Sequence, residues 1–229
     1  DVIVAVDEIS MVGKTSAEVS EYLRGKAGTS LQISVERPEV GLRDFSLTRE
    51  QIKNKNVPYF DLVDEKTGFI KLTGFTPGAA NEVNSALQEL KSRGASQIIL
   101  DLRGNGGGLL HEAIAIVNIF VDKGITVVTT KAKNKEEDRT YKTLNKPTDT
   151  DIPLIVFIDG RSASASEIVS GALQDLDRAV LVGRNSFGKG LVQGTRRLTY
   201  NTQMKVTIAK YYLPSGRLIQ RLDYADKVN

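Results

Sequence analysis

Residues 97 to 108 read Gln97-Ile98-Ile99-Leu100-Asp101-Leu102-Arg103-Gly104-Asn105-Gly106-Gly107-Gly108. The run from Ile98 to Leu102 is apolar apart from Asp101, the pattern of a strand buried on both faces, and the glycines that follow read as a loop. A helix is predicted from Leu109 to about Val121. A comparable order appears downstream. The apolar run Leu154-Ile155-Val156-Phe157-Ile158 ends at Asp159-Gly160, a helix is predicted from Ser164 to about Leu176, and a strand from Ala179 to Val182 follows. Upstream, Phe69 to Leu72 reads as a strand and Ala80 to Lys91 as an amphipathic helix ended by Gly94. Strands joined through helices imply parallel crossovers, and therefore an α/β layer architecture.

The flanks are less regular. Thr126 to Thr130 is a predicted strand, residues 131 to 141 a charged surface excursion, and the end is β-rich, with Leu191 to Gln193, Thr207 to Tyr212 and Leu218 to Gln220 as strands. At the front, a strand from Val2 to Val6, a turn at Asp7-Glu8, a helix from Ser16 to Arg24 and a strand from Leu31 to Val35 form a compact pattern. Val19 and Leu23, at i and i+4, give that helix one apolar face. Residues 38 to 59 are charged and weakly periodic and read as a connector with room for one short strand. The division expected is 1–37, 38–59 and 60–229.

Composition bounds the chemistry. The 229 residues carry 31 Lys and Arg against 28 Asp and Glu, a net charge of +3, too even for a nucleic-acid-binding signature. With no Cys and a single His, His111, the chain has no thiolate nucleophile, no disulfide, no Cys-based zinc site and no His-rich metal cluster. No run reaches the roughly 18 apolar residues of a transmembrane helix.

Three loops compete for function. Arg161-Ser162-Ala163-Ser164-Ala165-Ser166-Glu167 lies between a buried strand and a helix, where a serine is presented beside the N–H groups of the helix's first turn, a setting for an oxyanion. The same segment fits a capping box, in which Ser164 merely caps the helix. Gly183 to Gly190 imitates a P-loop, but Gly190 stands where Ser or Thr should follow Lys189, and a strand, not a helix, comes next. The Gly104 to Gly108 loop can aim N–H groups at an anion, lacks the dinucleotide-binding G-x-G-x-x-G frame, and reads equally as a tight turn stiffened by Asp101 and Arg103. Taken together, a serine, a lysine on a glycine-rich turn and two sources of N–H groups fit amide hydrolysis by a serine/lysine dyad. The lysine would have to be neutral, with Phe187, Leu191 and Val192 available to desolvate it. His111 is the rival base, but its helical position beside Glu112 suits a solvated face.

Asp101-Leu102-Arg103-x-Asn105-x-Gly107-Gly108, Ser162-Ala163-Ser164-Ala165-Ser166-Glu167, Phe187-Gly188-Lys189-Gly190-x-x-Gln193 and Tyr212-Leu213-Pro214-Ser215-Gly216-Arg217 together resemble the C-terminal processing peptidases, or tail-specific proteases. The resemblance covers nearly the whole chain. It implies a crotonase/ClpP-like β/α core preceded by a truncated PDZ-like α+β segment. It also implies Ser164 as nucleophile, Lys189 as general base, Gln193 as the residue orienting Lys189, and an oxyanion hole from the N–H of Ala165 and of a glycine in the 106–108 run, taken as Gly107. Val19 and Leu23 would line the peptide groove of the PDZ remnant, whose front half precedes this chain, and the Val2 to Val6 strand would lack a pairing partner. The implied partners are proteins with exposed C-terminal tails and, as one option, further copies of the chain. No nucleic acid, metal or cofactor is implied, and the implied location is exported or periplasmic. The alternative is a catalytically silent peptide-binding scaffold of the same fold.

Overall fold

The computed structural model describes residues 1–51 and 54–222. The chain divides into two units, Asp1–Asn54 and Lys55–Asn229.

The first unit contains β1 (Val2–Val6), β2 (Ile9–Ser10), α1 (Ser16–Leu23), β3 (Ser30–Arg37) and β4 (Gly41–Thr48), with the strands in the antiparallel order β2-β1-β3-β4. Thr15 caps α1 in a box with Glu18, whose carboxylate accepts the Thr15 N–H and hydroxyl, each at 2.7 Å. Val6, Met11 and Leu31 form a small core against which Ile3, Val19, Leu23 and Ile33 pack. Three expectations meet the structure here, and the first is corrected. First, β1 is an interior strand: Asp7 and Glu8, with φ of 45° and 67°, fold Ile9–Ser10 back onto one edge while β3 pairs with the other. Second, the strand for which the connector leaves room is β4, eight residues long and in register with β3 from Ser30↔Thr48 to Arg37↔Gly41. Every residue of β4 is exposed, so its ladder of backbone bonds leaves no apolar alternation to read. Third, Val19 and Leu23, both only partly buried, pack against the unit's own small core.

The second unit has β5 (Tyr59–Leu62), β6 (Thr67–Lys71), α2 (Ala79–Ser92), β7 (Gln97–Asp101), α3 (Leu110–Phe120), β8 (Thr126–Ala132), β9 (Arg139–Lys142), β10 (Leu154–Ile158), α4 (Ala165–Asp175), β11 (Val180–Gly183), β12 (Leu191–Arg197) and β13 (Gln203–Tyr212). One sheet runs β11-β10-β7-β6-β5, with β11, β10, β7 and β6 parallel and β5 antiparallel at the edge. The other is the antiparallel β12-β13-β8-β9. Helices α2, α3 and α4 pack side by side, and α4 touches both β8 and β11. Ile98, Leu100 and Val156 from the parallel strands, with Leu87, Leu90, Phe120, Ile116, Ile168 and Leu173 from the helices, are fully buried, each stabilising by roughly 1.5–3 kcal/mol. The charged excursion holds a 3-10 turn at Lys135–Glu137 and the strand β9. Leu218 to Gln220 does not form the expected strand; Leu218 makes one isolated bridge to Tyr212. The last seven residues assigned to the core lie outside the described residues.

Candidate active site

The parallel strands β7 and β10 are in register at Asp101↔Phe157, so the glycine loop after one and the serine turn after the other leave the sheet at the same rim. Ligands in parallel α/β sheets bind at such carboxyl ends. Asp159, one residue past β10, ties the two loops together. Its Oδ1 accepts the N–H of Gly104 at 3.0 Å, of Arg161 at 2.9 Å and of Ser162 at 3.1 Å. The Gly104 amide first, then those of the turn and the Arg161 charge, outweigh partial desolvation and bring its carboxyl down to about 2. Asp101 is buried, which would raise its pKa, but Arg103 and Lys71, both at 2.9 Å, hold it below the usual carboxylate range. The Asp101–Arg103 pairing expected of a stiffened turn is therefore present.

The alternating serines separate by environment. Ser162 is fully buried; its Oγ donates to the Leu102 carbonyl at 2.8 Å and accepts the Asp159 N–H at 2.9 Å. Ser166, also fully buried, donates to the Asn105 carbonyl at 2.9 Å, and that same carbonyl accepts the Ala163 N–H at 3.0 Å. Both are stitches between the loops. Ser164 is partly exposed, with φ 56° and ψ −111°, a conformation strained for any side chain. Its N–H donates to the Glu167 carboxylate at 2.8 Å, the firm half of a capping box in which the Ser164 side chain lies opposite the Glu167 N–H.

The glycine loop meets this turn closely. A Cβ on Gly107, whose φ is 95°, would lie 2.6 Å from the Ala163 carbonyl oxygen, 2.9 Å from the Ala165 nitrogen and 2.9 Å from the Ser164 Cβ. Only glycine permits that approach. The two expected oxyanion donors are thus neighbours. The Ala165 N–H, at the first position of α4, has no acceptor among the described residues, while the Gly107 N–H donates to Asn105 Oδ1 at 2.9 Å.

Lys189 arrives through its backbone. Its N–H donates to Glu167 Oε2 at 2.8 Å, the N–H of Gly188 to Oε1 at 2.6 Å, and the Ser186 hydroxyl to Oε1 at 2.7 Å. The amides of the P-loop-like segment therefore already hold an anion, the protein's own carboxylate. The Lys189 side chain is exposed and shares no hydrogen bond with Ser164 or Gln193 among the described residues. The expected burial of the amine by its neighbours is not found: Phe187 is 56% exposed, and Leu191 and Val192 are only partly buried. Gln193 lies exposed on β12, the edge strand of its sheet, next to a register shift between Val192 and Gln193. His111 is 71% exposed with Nε2 3.7 Å from the Glu112 carboxylate, and Glu112 itself accepts the N–H groups of Gly78 and Ala80, both at 2.8 Å. Among the described residues no group of three or more His, Asp or Glu side chains could hold a metal, and no helix is long and apolar enough to cross a membrane.

Sequence reasoning missed the reach of Glu167 and Asp159. The S-x-x-E spacing signals the cap made by Glu167, but not its hold on a loop about twenty residues further on.

A strained serine at the start of a helix thus lies against a glycine loop at the rim of a parallel sheet. Residues 66–226 match peptidase family S41, and the chain belongs to that family. It is 37% identical over 227 residues to a carboxyl-terminal-processing protease of Picosynechococcus sp., covering 97% of this chain and 54% of the relative. It is 39% identical over 225 residues to a carboxy-terminal-processing protease of Bartonella bacilliformis, covering 96% and 51%. The chain thus spans about half the length of the curated relatives it matches. Among solved structures, the photosystem II D1 C-terminal processing protease superposes with a TM-score of 0.66 at 28% identity, covering 95% of this chain and 60% of that one. An S41 protease of Bacteroides fragilis shares the fold, with a TM-score of 0.63 at 16% identity over 94% of this chain and 61% of that one. The mixed α/β fold with several sheets is that of S41 proteases.

Proposed function

We propose that the chain carries the catalytic core of an endopeptidase that cuts proteins near their C-termini with a serine/lysine dyad, without ATP or metal. Ser164 Oγ attacks the scissile carbonyl, and neutral Lys189 takes the hydroxyl proton and returns it to the leaving amine. Water then attacks the acyl-enzyme, giving its proton to the same amine, which passes it to Ser164 Oγ as the ester bond breaks. The N–H of Ala165 and that of Gly107, released from Asn105, stabilise the tetrahedral oxyanion, and Gln193 orients Lys189. The observation that carries this reading is the strained, partly exposed Ser164, set directly against Gly107 and beside the uncommitted N–H of Ala165.

The exposure of Lys189 assigns a task to the substrate. An extended tail pairing with the edge of β12, which is unpaired among the described residues, would cover Phe187 and Lys189 and supply the desolvation that a neutral amine requires. The first unit is read as part of a PDZ-like tail reader, with Val19 and Leu23 on its helix. Export to a periplasmic or envelope compartment, and assembly with further copies, belong to the same reading. The names of the relatives support processing of carboxyl termini.

The exposed lysine also favours one alternative, a silent peptide-binding scaffold. Incubation with a protein carrying an unstructured apolar C-terminal tail, read by the mass of the products, decides between them. The endopeptidase yields a shortened protein and a released tail; intact substrate at long times, with binding retained, would favour the scaffold.

A further inference from the structure

Glu167 is buried, yet its carboxylate meets only donors: the N–H groups of Ser164 and Lys189 on Oε2, the N–H of Gly188 and the hydroxyl of Ser186 on Oε1. A helix cap needs one such bond. Three of these four donors belong to or adjoin the residues named as nucleophile and base. Because the Ser164 and Lys189 nitrogens share one oxygen at 2.8 Å each, they cannot be more than about 5.6 Å apart, twice that contact. No other side chain among the described residues bonds to both segments.

We propose that Glu167 is a positioning residue that couples the general-base loop to the nucleophile turn, so that Ser164 and Lys189 keep one relative placement while their side chains exchange a proton. The inference rests on the dyad reading and extends it. The carboxylate acts through main-chain bonds and touches no reacting atom. It fixes the origin of the Lys189 side chain, and it draws the Ser164 N–H inward, which holds the strained φ of 56°. Gly188, with φ 87°, lets two successive N–H groups turn toward one carboxylate.

Glu167→Gln separates this role from a plain cap. Either orientation of the amide sets its NH2 group against an N–H, that of Gly188 or those of Ser164 and Lys189 together. Cleavage of a quenched-fluorescence peptide with an apolar tail is expected to lose on the order of 100-fold in kcat, with KM within about threefold, the pattern of a misplaced reacting group. Hydrogen exchange at the Gly188 and Lys189 amides is expected to rise at least about tenfold, while exchange in β7 stays as it was. A kcat within about twofold of the parent, or unchanged exchange at those amides, overturns the role. Should Glu167→Gln not fold, Ser186→Ala, which removes one of the four donors, decides: a kcat loss of about threefold to tenfold at constant KM supports the coupling, and parental kcat overturns it. Ser164→Ala and Lys189→Ala in the same assay separate the two levels. Cleavage retained by either sinks the dyad, whereas inactive dyad variants beside a fully active Glu167→Gln overturn only the part given to Glu167.

Discussion

The side chain of Asn105 accepts the N–H of Gly107 at 2.9 Å while its own amide donates to the Leu72 carbonyl at 2.9 Å. One fully buried side chain thus fastens the glycine loop to the residue just past β6 and occupies the N–H expected to face an oxyanion. Removing it leaves a buried carbonyl without its donor. Asn105→Ala is expected to lower stability by about 2–3 kcal/mol in urea unfolding, and an effect below about 0.5 kcal/mol would mean the loop is held by other bonds.

At Gly107 itself, the approach to Ala163, Ser164 and Ala165 admits no side chain. Gly107→Ala is expected to cost about 2–3 kcal/mol and to cut cleavage by at least about 100-fold, through the positive φ and the displaced serine turn together. Circular dichroism melting and a peptide assay measure the two effects.

The strain at Ser164 sets function against stability. Glycine adopts a positive φ without steric cost, so Ser164→Gly is expected to abolish cleavage and raise stability by about 1 kcal/mol. Lower stability in that variant would show that the serine side chain supports the turn, not that the turn strains the serine.

How much of this could be read from the chain alone varies with burial. The strands β7 and β10 are legible because parallel strands covered on both faces read as apolar runs, Ile98-Ile99-Leu100 and Leu154 to Ile158. By contrast β4 and β9 face solvent along most of their length and are held by backbone ladders, which leave no periodic mark. Ser164 and Gly107 stand in motifs close in sequence to the structure they build. The hold of Glu167 on Gly188 and Lys189, and the exposure of Lys189, depend on how separate loops pack, and no local pattern encodes that.

Asp159 governs acid stability at the rim. Its pKa is lowered from the ordinary 3.8 to about 2 by the loop amides, so its contribution is present above about pH 4 and disappears as pH falls toward 2. Asp159→Asn keeps an acceptor oxygen and removes the titration, and the fall in melting temperature between pH 4 and pH 2 is expected to be shallower than in the parent. Identical slopes would mean that the Gly104 and Ser162 bonds do not persist in solution.

Lysine and histidine bases predict different pH profiles. With Lys189 as base, kcat/KM rises with pH as the amine loses its proton, and His111→Ala leaves that limb in place. A limb that disappears in His111→Ala would transfer the role to the histidine.

Proton transfer from Ser164 to Lys189 is tested most directly by covalent labelling with a serine-reactive fluorophosphonate, the adduct located by mass spectrometry of the digested protein. The dyad predicts one adduct, on the Ser164 hydroxyl, absent from Ser164→Ala and slowed by at least about 100-fold in Lys189→Ala. Labelling of Ser162 or Ser166 instead, or an unchanged rate in Lys189→Ala, would contradict it.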